Sequence, residues 1–358
     1  LHDALPIYPN ERNISTFNNY FLEGTIECGS VFKPFIYADS IEEGKYDHNA
    51  YYNSGSYNVY YGNKLVATIK DHNGGQGWGT ITYDQGLYHS SNVAICNLLD
   101  QGYVTKDVLT EKLNDLGFFQ GDTMDGLTCS SSINAYTRKN AGRLEYLTTG
   151  FGQGSTVTPY QLLKAYSVFG NDGKTVQPHI VDKVVNPETN KVVYQATPKY
   201  SKQIFSTNTI SQVKDLMLGV IEDEQGTGKT YRLDNDVRMI GKTGTGQVVE
   251  NGGYSTTLYM HSFVGIAPYD DPQVVMFLTF KSGDSYAQYM PNIVKQTMNE
   301  ALQVVNRYNA KNTTAVDQSC TLDSYTNQSV NYVKSKLESK SLSVQIIGNG
   351  SSVIEQYP

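Results

Sequence analysis

An α+β fold is predicted by three features of the sequence. Helix-like and strand-like stretches alternate from Tyr8 to about Asn309, with glycine-rich punctuation between them. Two strand patterns, His261–Ala267 and Gln273–Phe280, are split only by Pro268-Tyr269-Asp270-Asp271-Pro272, a hairpin-like connection. An amphipathic helix then runs from Pro291 to Tyr308, with Ile293, Val294, Met298, Ala301, Leu302 and Val305 on its apolar stripe.

The elements follow in chain order. Leu1 to Ile7 connects to nothing after it and reads as the translated remnant of a sequencing adapter. A helix is expected from Gly29-Ser30 to about Glu43, because Pro34 falls in its first turn, where a missing N–H is harmless. Phe32, Phe35 and Ile36 offer its apolar face. A second helix follows Asn92 through Leu99, and a third spans Pro159 to Phe169 before the turn Gly170-Asn171-Asp172-Gly173. Strand patterns appear at Val181–Val185, Lys191–Tyr194 and Val237–Ile240. Residues 310–318 are polar and aperiodic, so they read as a linker. In the small unit 319–358, Val330, Val333 and Leu337 keep helical spacing. Strands Ser343–Ile347 and Val353–Gln356 flank Gly348-Asn349-Gly350, a tight-turn signal.

Composition excludes several classes of function. The 358 residues have room for about two domains. Lys plus Arg number 28 against 35 Asp plus Glu, a formal charge of −7, which argues against phosphate-driven nucleic-acid binding. Hydrophobic residues make up 39 %, enough for a sizeable core, and no run reaches the ~18 to 20 apolar residues of a membrane span. Cys28, Cys96, Cys129 and Cys320 form no CxxC, and the six histidines never fall at HxxxH spacing, so neither supports a metal site. The 28 tyrosines read as half-buried surface and strand residues.

Three short motifs carry chemistry. Ser30-Val31-Phe32-Lys33 puts an amine beside a hydroxyl on one helix face, where a lysine made neutral by burial can take the serine proton. Ser211-Gln212-Val213-Lys214 matches the same pattern but lies in a helix-like stretch without a glycine lead-in. Ser90-Ser91-Asn92 supplies a second hydroxyl and an amide. Ser56/Asn58, Ser132/Asn134, Ser206/Asn208 and Ser329/Asn331 share its spacing, but only the Ser90 copy stands at the mouth of an apolar helix, where it also suits an N-cap. Lys242-Thr243-Gly244-Thr245 is expected just after the strand Val237–Ile240. Lysine and hydroxyls there suit an anionic peptide terminus, and Gly244 leaves room for a substrate backbone alongside.

The three motifs in this order, 60 residues from Ser30 to Ser90 and 150 from Asn92 to Lys242, resemble the transpeptidase domains of penicillin-binding proteins. Gly152-Gln153-Gly154, Thr158-Pro159-Tyr160-Gln161 and Gly226-Thr227-Gly228 add to the resemblance, which covers residues 8–309. Residues 319–358 are similar to the first half of a PASTA repeat, pointing to a monofunctional, class B member of Gram-positive type. The implied fold is that of penicillin-binding proteins and serine β-lactamases: an antiparallel sheet flanked by helices, plus an all-helical subdomain.

The implied activity is D,D-transpeptidation of peptidoglycan stem peptides through an acyl-Ser30 intermediate. Lys33 would be the base and Ser90 a proton relay towards Lys242. Asn92 would hold the acyl-side amide, while Thr243 and Thr245, helped by Lys242, receive the substrate carboxylate. The backbone N–H groups of Ser30 and Thr245 would form the oxyanion hole. β-Lactams would acylate Ser30, and no metal or cofactor is required. The resemblance also implies partners in the division or elongation machinery, no nucleic acid, and work at the extracytoplasmic membrane face under an upstream N-terminal anchor. A β-lactam-binding sensor and a carboxypeptidase or β-lactamase relative share the same triple. Two departures stand out. Cys28 occupies a position where the family usually has proline, and only 29 residues precede Ser30. The central sheet is therefore expected to lack its upstream strands and to expose an edge.

Other patterns fail. Gly228-Lys229-Thr230 echoes a phosphate loop, but Asp223 stands where that loop needs glycine. His89 and His261 lack the G-x-S-x-G elbow of a serine hydrolase, and Asp270-Asp271 reads as a loop rather than a metal site.

Overall fold

The helix expected at Gly29 forms in two steps, a 3₁₀ turn Gly29–Phe32 and then an α-helix Lys33–Glu42. In this computed structural model, residues 18–234, 236–250, 252–312, 324–338, 344, 346 and 348–356 are described. The chain divides into two compact units, Leu1–Val305 and Asn306–Pro358. Leu1 to Ile7 lies outside the described residues.

Every residue from Lys33 to Ile41 is buried, so this helix is the axis of the first unit rather than an amphipathic surface helix. Phe35 shows why: Phe32, Phe118, Tyr166 and Phe169 ring it at centroid distances of 5.1 to 5.7 Å. Burying a side chain of that size is worth ~1.5–3 kcal/mol. Neighbouring helices start at side-chain caps. Ser91 caps Asn92–Asp100, and Thr158 and Gln161 close a reciprocal capping box on Pro159–Tyr166. A longer helix, Thr207–Glu222, starts at Ser206 and contains Ser211, the decoy serine.

The main sheet has three antiparallel strands among the described residues: Ile240–Glu250 at one edge, Gly253–Ala267 in the centre and Val274–Ser282 outside. The hairpin at Pro268–Pro272 forms as expected. Alternation splits the sheet between two cores. Ile240, Val264 and Ile266 join the helical core, whereas Phe263 and Ala267 pack with Met290, Val294, Met298 and Leu302 of the last helix, Met290–Asn312. One boundary is corrected: the edge strand starts at Ile240, so Lys242–Thr245 lies inside it and not after it. Gly244 and Gly246 within this strand let backbones approach. A second hairpin, Ser56–Tyr61 with Lys64–Lys70, escaped the sequence reading. Its signal was the two-residue turn Gly62-Asn63 between tyrosine- and valine-rich runs.

In the second unit, the expected helix spans Val330–Glu338. Most of Ser343–Ile347 lies outside the described residues. Val353–Gln356 is not a strand. It is joined by one antiparallel bridge, Ser329 to Ser352, and by Val353 N–H donating to Gln328 O at 2.9 Å. A loop offers too few partners for a ladder. Among the described residues no helix is long and apolar enough to cross a membrane.

Candidate active site

Ser30 sits half-buried on the 3₁₀ turn, and the turn is locked against the edge strand by missing side chains. Gly29 has φ +62° and Gly152 φ +76°. A Cβ on Gly152 would stand 2.1 Å from Gly29 O, and one on Gly29 would stand 2.5 Å from Thr245 O. On the strand, a Cβ on Gly246 would meet Glu27 O at 2.0 Å and one on Gly244 would meet Cys28 O at 2.9 Å. Gly244 borders the cleft, and on the side where a Cβ would point it lies against the nucleophile turn. Cys28, in the family's proline position, is a buried free thiol whose pKa burial pushes up, so it packs as a small apolar residue.

Two amines converge on one hydroxyl. Lys242 Nζ donates to Ser90 Oγ at 2.7 Å and to Thr243 O at 3.0 Å. Lys33 Nζ donates to Ser90 O at 2.5 Å and reaches Ser90 Oγ at 3.4 Å. Both amines are fully buried. Burial pushes Lys33 down to about 7, with Asp71 and Cys96 pulling the other way. Burial, and then the Lys33 charge, hold Lys242 well below the usual lysine range. Among the described residues no hydrogen bond joins Lys33 to Ser30, so the amine is turned towards the relay hydroxyl. The turn between them is tight: Ser90 itself has φ +57°.

These groups open onto a cleft of about 680 Å³ lined by Ser30, Ser90, Asn92, Thr243, Gly244 and Thr245. Every one of the expected residues is therefore at this cleft or, for Lys33 and Lys242, directly beneath it. Asn92 is anchored by Nδ2 donating to Lys70 O at 2.9 Å. Thr243 donates to Thr227 Oγ1 at 2.9 Å, and Thr227 also lines the cleft. In the sequence Thr227 is marked only by its Gly226-Thr227-Gly228 setting. His72 borders the cleft too, its pKa lowered by burial and by both lysines, whereas His89 is stacked flat on Trp78 at 4.6 Å. Among the described residues no three His, Cys, Asp or Glu side chains are grouped to hold a metal.

A hydroxyl flanked by two amines whose pKa values burial lowers, beside a second serine and a strand edge bearing two threonines, is equipped for acyl transfer. Comparison with known proteins agrees. The family model described as penicillin binding protein transpeptidase domain matches residues 2–303. Stage V sporulation protein D of Bacillus subtilis is 28% identical over 97% of this chain and 52% of its own length. A peptidoglycan D,D-transpeptidase FtsI homolog of Mesostigma viride is 26% identical over 75% of this chain and 46% of its own. The chain thus spans about half the length of these curated relatives. Among solved structures, penicillin binding protein 3 of Mycobacterium tuberculosis, complexed with aztreonam, superposes with a TM-score of 0.69 at 24% identity. That likeness covers 82% of this chain and 65% of the other, and concerns the fold.

Proposed function

The chain belongs to the penicillin-binding-protein transpeptidase family, and from that premise we propose that it carries a peptidoglycan D,D-transpeptidase site. The observation that supports this most directly is the convergence of Lys33 and Lys242 on Ser90 Oγ beside Ser30. Ser30 Oγ attacks the carbonyl between two terminal D-alanines. Its proton passes to the neutral Lys33 amine, the oxyanion rests on the Ser30 and Thr245 N–H groups, and the C–N bond breaks. The leaving D-alanine amine takes a proton relayed through Ser90. An acceptor amine then attacks the acyl-Ser30 ester, forms the cross-link and returns the hydroxyl. The substrate carboxylate lies against Thr243 and Thr245, and its charge restores Lys242 to the protonated form that burial opposes. Asn92 orients the acyl-side amide.

β-Lactams acylate Ser30 by the same attack. The unit after residue 309 acts as a partial PASTA module behind a linker at 310–318. The parent protein works outside the cytoplasm, tethered by a segment upstream, with division or elongation proteins as partners. The test is D-alanine release from a D-Ala-D-Ala thioester together with labelling by a fluorescent penicillin. Wild-type chain takes label on the peptide containing Ser30 and releases D-alanine, and Ser30→Ala does neither. Label that persists in Ser30→Ala puts the nucleophile elsewhere. Label without turnover would mark a sensor, and rapid loss of label to water a β-lactamase relative.

A further inference from the structure

Behind the turn that presents Ser90 stands a buried carboxylate. Asp71 is 2 % exposed and follows the last residue of the hairpin strand Lys64–Lys70. Its Oδ1 accepts from Ser91 Oγ at 2.8 Å, Asn92 N at 2.7 Å and Val93 N at 3.1 Å. Its Oδ2 accepts from Gly55 N at 2.8 Å, and its own N–H donates to Gly55 O at 2.9 Å, closing the hairpin. The preceding residue holds Asn92 Nδ2 through Lys70 O. One hairpin end therefore grips both the main chain and the side chain of Asn92.

We propose that Asp71 is a positioning residue of this site: its carboxylate holds the Ser90–Asn92 turn in place over Lys33 and Lys242 and sets its negative charge against them. This rests on the acyl-transfer reading above. Three arguments carry it. Ser91 Oγ caps the helix Asn92–Asp100 through one N–H only, that of Ala94 at 3.0 Å, so the N–H groups of Asn92 and Val93 at the same helix start depend on Asp71. Ser90 is held at a positive φ, a strained conformation for a non-glycine residue that persists only where the surroundings fix it. Leu87 O and Gly86 O secure that turn from one side, at 3.0 and 2.7 Å, and Asp71 secures it from the other. Finally, two amines in one dry pocket need an opposing charge. The groups that face Lys33 are Ser90 from the turn, Cys96 from the helix, Lys242 from the strand, and Asp71 with its neighbour His72 from the hairpin end. Of these, Asp71 is the carboxylate.

The experiment measures acylation by a fluorescent penicillin across neutral and mildly alkaline pH for wild type, Asp71→Asn and Ser91→Ala, with thermal denaturation of each. Asp71→Asn is expected to acylate about 100-fold more slowly, as displaced catalytic groups do. Its rise in rate should move to lower pH, because a lost negative neighbour favours the neutral amine. Ser91→Ala, which removes one bond to Asp71, slows by about 5-fold with its pH profile unmoved. Asp71→Asn at the wild-type rate, or slowed with its profile unmoved, overturns the proposal. Should Asp71→Asn fail to fold, Ser91→Ala decides, and an unchanged rate there overturns it. A wild type that takes no label removes the acyl-transfer reading as well, whereas a labelled wild type beside an indifferent Asp71→Asn removes this proposal alone.

Discussion

The strand carrying Lys242 and the turn carrying Ser90 meet at one cleft, yet they are held by different physics. The strand is seated by what its residues lack: Gly244 and Gly246 press their backbones onto Cys28 and Glu27, and Gly152 presses onto Gly29. The turn is seated by what its neighbours add, namely hydrogen bonds from Ser91, Asn92 and Val93 to one carboxylate. Steric seating tolerates no additional atom. Hydrogen-bonded seating tolerates substitution in steps, one bond at a time. The first wall should therefore fail abruptly when disturbed and the second gradually.

The largest expected effect comes from breaking the steric wall. Gly152→Ala places a methyl 2.1 Å from Gly29 O at φ +76° and should cost roughly 3 kcal/mol or more, read by urea denaturation, with penicillin labelling lost. Gly62→Ala is the matching control, since its φ is +58° but nothing lies within 4 Å of the added carbon. It should cost only about 1 kcal/mol.

A second measurement sharpens the chemistry between the walls. Lys33 is a base only when neutral, and burial sets its pKa at about 7. Acylation should therefore fall about tenfold per pH unit below that value and level off above it. A rate that declines instead as pH rises through neutrality would take the base role from Lys33. The smallest effect belongs to Thr227→Val, which removes the partner of the Thr243 hydroxyl while keeping volume. Affinity for a carboxylate-bearing substrate should drop by about 5-fold, seen in KM with kcat nearly unchanged.

The same contrast explains what was legible in the sequence. Ser30, Lys33, Ser90, Asn92, Lys242, Thr243 and Thr245 stood out because each belongs to a short run whose internal spacing is local. All of them lie in or beneath the cleft. The helix start at Ser90-Ser91-Asn92 was readable for the same reason, since a cap depends on residues three positions away, and Ser91 rather than Ser90 supplies it. What failed was long-range. Gly244 and Gly246 gave no sign of their role because nothing local reveals that another backbone lies against them. Asp71 is one of 35 acidic residues, and its importance arises from partners some twenty positions onward. Thr227 meets Thr243 across sixteen positions. The hairpin Ser56–Lys70, by contrast, carried its signal in Gly62-Asn63.

Cys28 gives the seating of the strand a chemical clock. Its backbone oxygen faces Gly244 while its thiol is buried with the residue in the helical core, and burial disfavours the reactive thiolate. A thiol reagent can reach it only in the moments when the packing around the nucleophile turn opens. The pace of modification at that one sulfur therefore counts how often an intact molecule breathes open at its reactive centre, before any substrate arrives.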